Sequence, residues 1–129
     1  MTNTINASLF QEMIQAASTR LNNQAEYVNS LNVFPVPDGD TGTNMGMTIT
    51  NGAKAVSDNT GETVGQVAAI LSKGLLMGAR GISGVILSQI FRGFGQAIKD
   101  EDVFTAENLA KAFQNGVEVA YKAVMKPVE

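Results

Sequence analysis

The amino-acid sequence predicts an all-α fold, and three observations carry that reading. Apolar residues recur every three or four positions along most of the chain, the period of one helix face. Alternating β-branched runs are missing, so no segment reads as a convincing strand. Proline, glycine, asparagine and aspartate gather between the periodic segments, where the chain must turn.

The first periodic segment covers about residues 7–31. Leu9, Met13, Ala17 and Leu21 recur every four residues, with Phe10 and Ile14 beside them, and define one apolar face. Tyr27, Val28 and Leu31 either continue this helix or form a second short one after Asn22-Asn23. Pro35 and Pro37 end any helix, because proline lacks the backbone donor and pushes its predecessor into extended conformations. Met45, Ile49, Ala53 and Val56 mark the next helix, which stops at the turn signal Ser57-Asp58-Asn59-Thr60-Gly61. Another follows Glu62-Thr63 with Val64, Val67, Ala68, Leu71 and Leu75 inward, and ends at Gly78-Ala79-Arg80-Gly81. The next carries Val85, Ile86, Ile90, Phe91, Phe94 and Ile98. Lys99-Asp100-Glu101-Asp102 reads as a solvated connection. Thr105 reads as the N-cap of a final helix with Glu107 in its positive first turn. Leu109, Phe113, Val117, Ala120 and Val124 build that helix up to Pro127. Gly46, Gly52, Gly74 and Gly116 interrupt helical patterns at a cost relative to alanine, so they mark expected close helix–helix approaches. Gly93 and Gly95 are assigned to packing as well. Residues 1–129 form a single domain in this reading.

Composition removes several chemistries. The chain of 129 residues has no cysteine, so it has no disulfide, thiolate ligand or thiol nucleophile. It has no histidine either, which removes the commonest general base and the usual zinc ligand. A bound metal must therefore be hard and held by oxygen. A net charge of −3 argues against a nucleic-acid partner. No apolar run approaches the length of a membrane span, so membrane insertion is not expected and a cytoplasmic location is the default.

Two segments carry candidate chemistry. In Asp38-Gly39-Asp40-Thr41-Gly42-Thr43-Asn44, two carboxylates flank a glycine just before a helix. Paired acids, hydroxyls and free N–H groups at a helix start suit a hydrated cation and a phosphate. Read alone, Asp-Gly-Asp is equally an ordinary turn. It is no EF-hand loop, since counting from Asp38 places Thr43 where that loop needs glycine and Ile49 where it needs an acid. In the second segment, Gly78-Ala79-Arg80-Gly81-Ile82-Ser83-Gly84, close-spaced glycines let backbone N–H groups approach phosphate. Ser83 adds a donor and Arg80 a charge. It matches neither a P-loop nor a dinucleotide fingerprint. A plain helix–helix turn with Arg80 in solvent explains it equally well on its own.

Taken together, NVFPVPDGDTGTNM (Asn32–Met45) and GARGISGVILSQ (Gly78–Gln89) closely resemble the DhaL (DAK2) family, and within it the N-terminal kinase domains of bacterial fatty acid kinases. The resemblance covers essentially the whole chain. It implies an antiparallel barrel of helices whose connecting loops bind ATP or ADP and two Mg2+ ions at one end. It places metal ligands at Asp38, Asp40 and Asn32, the last where related dihydroxyacetone kinase subunits have an aspartate. Phosphate-side contacts fall at Thr41, Gly42, Thr43, Asn44, Gly81, Ser83 and Gly84. Asp38, Asp40 and Arg80 are the candidate catalytic residues, with Arg80 neutralising two meeting anions. The implied reaction moves the γ-phosphoryl group to a fatty-acid carboxylate presented by a separate acyl-binding carrier protein. A homodimer is compatible with the resemblance.

Thr41 stands where dihydroxyacetone kinase subunits tend to have histidine, which favours the fatty acid kinase branch. Ile82 stands where similar sequences often have asparagine. The family domain continues past the equivalent of Glu129, so the barrel is expected to be incomplete at the C-terminus. Two other readings remain open at this stage. One is the ADP-binding subunit of a dihydroxyacetone (glycerone) kinase. The other is a non-catalytic helical interaction module, whose stability magnesium would not change.

Overall fold

The computed structural model describes residues 4–31, 39–59 and 61–125, and over these it is an assembly of helices. In chain order the elements are β1 (Thr4–Ile5), α1 (Ala7–Asn23), α2 (Ala25–Ser30), α3 (Thr41–Asp58), α4 (Val64–Met77), α5 (Gly81–Ala97), β2 (Phe104–Thr105) and α6 (Ala106–Met125). The all-α expectation holds. No described helix is long and apolar enough to cross a membrane.

Local chemistry explains the helix starts. Asn6 caps α1 by accepting the Leu9 N–H at 2.9 Å. Thr63 caps α4 by accepting the Gln66 N–H at 3.1 Å, while the Gln66 side chain accepts the Glu62 N–H at 2.8 Å. Thr105 caps α6 as expected: its hydroxyl accepts the Asn108 N–H at 3.1 Å, and its own N–H reaches Asn108 Oδ1 at 3.2 Å. The first periodic segment resolves into two helices. The break falls at Gln24, whose N–H is shared between the carbonyls of Arg20 and Leu21.

The expectation that strands are absent needs one correction. Thr4 and Ile5 pair antiparallel with Thr105 and Phe104, respectively. A two-residue ribbon is too short for alternation to register in a sequence.

Helix α3 is central and packs against α1, α2, α4 and α5, while α4 lies on α5 and α5 on α6. The core joins Phe10 and Ile14 of α1, Ile49, Ala53 and Val56 of α3, and all five expected inward residues of α4. It continues through Phe94, Ile98, Phe104 and Ala112. Phe94 is its aromatic hub, with ring centroids 5.8 Å from Phe10, 6.3 Å from Phe104 and 4.9 Å from Phe113.

Two faces are rotated from expectation. On α1 the buried line is Ala7, Phe10, Ile14 and Ser18, whereas Leu9, Met13 and Ala17 stay exposed. On α6 the small residues Ala112, Gly116 and Ala120 turn inward, and Phe113 and Val117 remain about half exposed. Val85 of α5 is similarly exposed. The side chain of Val124 lies outside the described residues. Between α1 and α6 runs an apolar groove of about 150 Å³, with Met13 and Ala17 on one wall, Leu109 and Phe113 on the other and Phe91 and Phe94 beneath.

The interior glycines serve close approach. A Cβ on Gly116 would overlap the Ile90 carbonyl oxygen, and one on Gly93 would lie 2.6 Å from the Asn115 carbonyl oxygen. Asn115 also donates its amide to the Gly93 carbonyl at 2.7 Å, so α5 and α6 meet backbone to backbone. The charged connection at 99–102 does more than meet solvent. The carbonyls of Asp102 and Glu101 accept the N–H groups of Val64 and Gly65 at 3.0 and 3.1 Å, which satisfies the start of α4.

Candidate functional site

The acidic segment delivers the chain into α3. Gly39 has φ +65, in the left-handed region, so the residue between the two aspartates must be one without a Cβ penalty. Asp40 occupies the N-cap position, and its carbonyl accepts the Asn44 N–H at 2.8 Å. Asp38 and Asn32 lie outside the described residues. Gly42 is buried against α2, where any side chain would overlap the Ala25 carbonyl. The start of α3 therefore sits directly on the start of α2.

That contact places a residue the sequence did not single out. The Asn29 side chain accepts the Thr43 backbone N–H at 3.0 Å and donates to the Thr43 hydroxyl at 2.9 Å. Because Asn29 Oδ1 is fixed by the N–H, its NH₂ must face the hydroxyl, so Thr43 Oγ1 acts as acceptor there. The hydroxyl proton of Thr43 is thereby directed elsewhere, as a donor on an exposed side chain. The Thr43 amide, by contrast, is already engaged.

The glycine-rich segment starts α5 on the other side of α3. Gly81 has φ +66 and faces the Asn44 side-chain amide, which would lie 2.6 Å from a Cβ there. The Thr48 hydroxyl donates to the Asn44 carbonyl at 2.7 Å and accepts the Arg80 backbone N–H at 3.1 Å. A Cβ on Gly84 would overlap the same hydroxyl. One turn further along α3, Asn51 donates to the Gly74 carbonyl at 2.6 Å, and its side chain lies against Gly78. Asn44, Thr48 and Asn51 thus form a polar seam on α3, matched by Gly74, Gly78, Gly81 and Gly84 on the facing chain. Close packing against this seam accounts for the glycine spacing, whatever else the loop contacts.

Of the expected site residues, Asn44 meets Gly81 directly and is joined to Arg80 and Gly84 through Thr48, while Gly42 and Thr43 face α2. Arg80 is exposed and Ser83 half-buried. Ile82, between them in sequence, is 80% exposed. Among the described residues no three His, Cys, Asp or Glu side chains cluster as a ready-made metal site. Asn29, Thr48 and Asn51 are the polar residues that sequence reading missed. The only signal for Thr48 is a hydroxyl one turn after Asn44, at a position its helix buries.

Comparison with known proteins gives a consistent result. The family model for the DAK2 domain matches residues 35–129. An uncharacterized protein of Staphylococcus haemolyticus is 57% identical over all 129 residues. Uncharacterized proteins of Staphylococcus epidermidis and Staphylococcus aureus are each 56% identical over the same span. The chain covers 23% of the length of the first two relatives and 24% of the third.

Proposed function

Because the chain belongs to the DAK2 domain family, which is kinase-related and nucleotide-binding, we propose that it is an ATP- and magnesium-binding phosphotransferase domain. The acceptor in this reading is a fatty-acid carboxylate presented by a separate acyl-binding protein. One observation carries the proposal: two motif-bearing helix starts meet, with Asn44 of the acidic segment packed on Gly81 of the glycine-rich one. Two helix N-termini and their loop amides then favour the same anion.

A hard cation suits the donors that the chain offers. Asp38 and Asp40 would hold magnesium through carboxylate oxygens, with Asn32 as a further oxygen ligand and phosphate or water completing the shell. Bound magnesium neutralises charge on the phosphates. Thr43 offers its hydroxyl proton to a phosphoryl oxygen, since the Asn29 amide already donates to the Thr43 hydroxyl oxygen. Ser83 is a second hydroxyl donor, and Arg80 presents a guanidinium able to hold two oxygens at once. In the transfer, a carboxylate oxygen bonds to the γ-phosphorus while the bond from that phosphorus to the β,γ-bridging oxygen breaks. ADP leaves with the electron pair, and the product is an acyl phosphate. A carboxylate is already ionised at neutral pH, so the step needs no general base. The absence of histidine is compatible with this chemistry. Thr41, in place of a histidine, supports the fatty acid branch of the family.

The test is thermal stability with ATP, with and without magnesium, beside Asp40→Asn. Ligand at about a hundred times Kd stabilises the native state by about 2.7 kcal/mol. For a domain of this size that is a rise in Tm of about 10 °C. A magnesium-dependent rise lost in Asp40→Asn is the expected result. An ATP response indifferent to both magnesium and Asp40 would overturn the metal–nucleotide assignment.

A further inference from the structure

We propose that Thr48 is a positioning residue that holds the two loops of the site at their working separation; this rests on the nucleotide-binding reading above. The hydroxyl both donates and accepts. Its proton goes to the Asn44 carbonyl at 2.7 Å, and its oxygen accepts the Arg80 N–H at 3.1 Å. The side chain is 0% exposed, so it touches no ligand itself. It acts through its neighbours.

Those neighbours are the residues that matter for phosphate. Asn44 lies in the first turn of α3, and Arg80 immediately precedes α5. Thr48 and Arg80 are 32 residues apart in sequence, and the hydroxyl joins their elements directly. Gly84 closes the arrangement, because its bare Cα leaves room for the Thr48 oxygen where a methyl group would displace it. A hydroxyl that back-bonds within its own helix is common and of little consequence. Here the same oxygen also accepts a donor at the entrance to a different helix. Removing it leaves the Arg80 N–H without its partner and frees the glycine-rich loop to move relative to Asn44. Phosphate contacts drawn from both loops require sub-ångström placement, so such movement weakens them together.

The experiment compares Thr48→Val, which keeps the shape and loses the hydroxyl, with Thr48→Ser, which keeps the hydroxyl. Ile49→Ala on the same helix is the control: its side chain belongs to the apolar core and reaches neither loop. Affinity for Mg-ATP is measured by titration calorimetry well below each variant's Tm, with helix content checked by circular dichroism. Thr48→Val is expected to weaken binding at least tenfold, Thr48→Ser less than threefold. Ile49→Ala is expected to lose stability while keeping the wild-type Kd. If Thr48→Val does not fold, Thr48→Ala carries the same comparison. Wild-type affinity in the hydroxyl-free variant overturns the proposal. So does an equal loss in Ile49→Ala, because stability alone would then explain the effect. Failure to bind Mg-ATP by the wild-type sequence, both in these 129 residues and in a chain extended through the remaining helices of the family domain, overturns the nucleotide reading and this inference with it, and is visible before any variant is made.

Discussion

Alanine in place of glycine should act with opposite sign at two positions on adjoining helices. Gly116 lies in the interior of α6, where alanine gains about 0.8–1 kcal/mol of helix propensity. Its new methyl group, however, would overlap the Ile90 carbonyl oxygen and lie 3.2 Å from the carbonyl carbon. Backbone cannot rotate aside as a side chain can, so α5 and α6 must separate. Overpacking costs about 1–3 kcal/mol, and against a backbone oxygen that cannot rotate away the upper part of that range, about 2–3 kcal/mol, applies and exceeds the propensity gain. The net loss is about 1–2 kcal/mol, or a fall in Tm of about 4–8 °C.

Gly95 lies on α5, where a Cβ would meet Ala68 at 3.6 Å, an ordinary contact. Its place in the last turn of α5 reduces the propensity gain, but the extra buried methyl adds to it. Gly95→Ala should therefore stabilise by about 0.5–1 kcal/mol. Urea unfolding followed by circular dichroism reads both changes, provided the m-values agree. If Gly116→Ala proves as stable as Gly95→Ala, the backbone-to-backbone seam between α5 and α6 is wrong.

Two further outcomes follow from the hydrogen bonds and charges. Asn29→Ala removes a cap on the Thr43 N–H and a bond to its hydroxyl, so it should cost about 1–2 kcal/mol by the same unfolding assay. In a double-mutant cycle with Thr43→Ala, the side-chain bond alone should appear as about 0.5–1 kcal/mol of coupling; a value near zero would refute that bond. The ion pair between Lys111 and Glu107, at 3.3 Å with both side chains largely exposed, should matter little. Lys111→Gln is expected to change stability by less than about 0.5 kcal/mol, and a larger loss would contradict its solvated geometry.

What the sequence made legible follows from how each signal is encoded. The apolar face of α4 is legible because the helix is covered on one long side, which Val64, Val67, Ala68, Leu71 and Leu75 mark. Gly65, buried against the backbone of Ile98 and Lys99, carries no such mark. The faces of α1 and α6 were harder. Each carries apolar residues on two adjoining stripes, and periodicity does not say which stripe another helix covers. Phe104 was missed because one aromatic residue in a polar connection has no period, although it is fully buried among Phe10 and Phe94. At the site, the two motif segments stood out by composition. Their joining by Thr48, and the Asn29 clamp, are long-range polar contacts made by residue types equally at home in solvent. Nothing local distinguishes them.

The short ribbon between Thr4–Ile5 and Phe104–Thr105 has a consequence for the order in which the chain acquires its shape. Most helix contacts, α3 with α4, α4 with α5 and α5 with α6, link neighbours along the chain and can form over short loops. Such local topology favours rapid folding. The ribbon instead joins positions about a hundred residues apart, at the largest closure entropy in the described structure. Loop-closure entropy predicts that it closes after the α3–α6 segment has assembled, with the contact of Phe104 on Phe10 closing alongside it. Weakening that ribbon should therefore speed opening of the native state more than it slows folding.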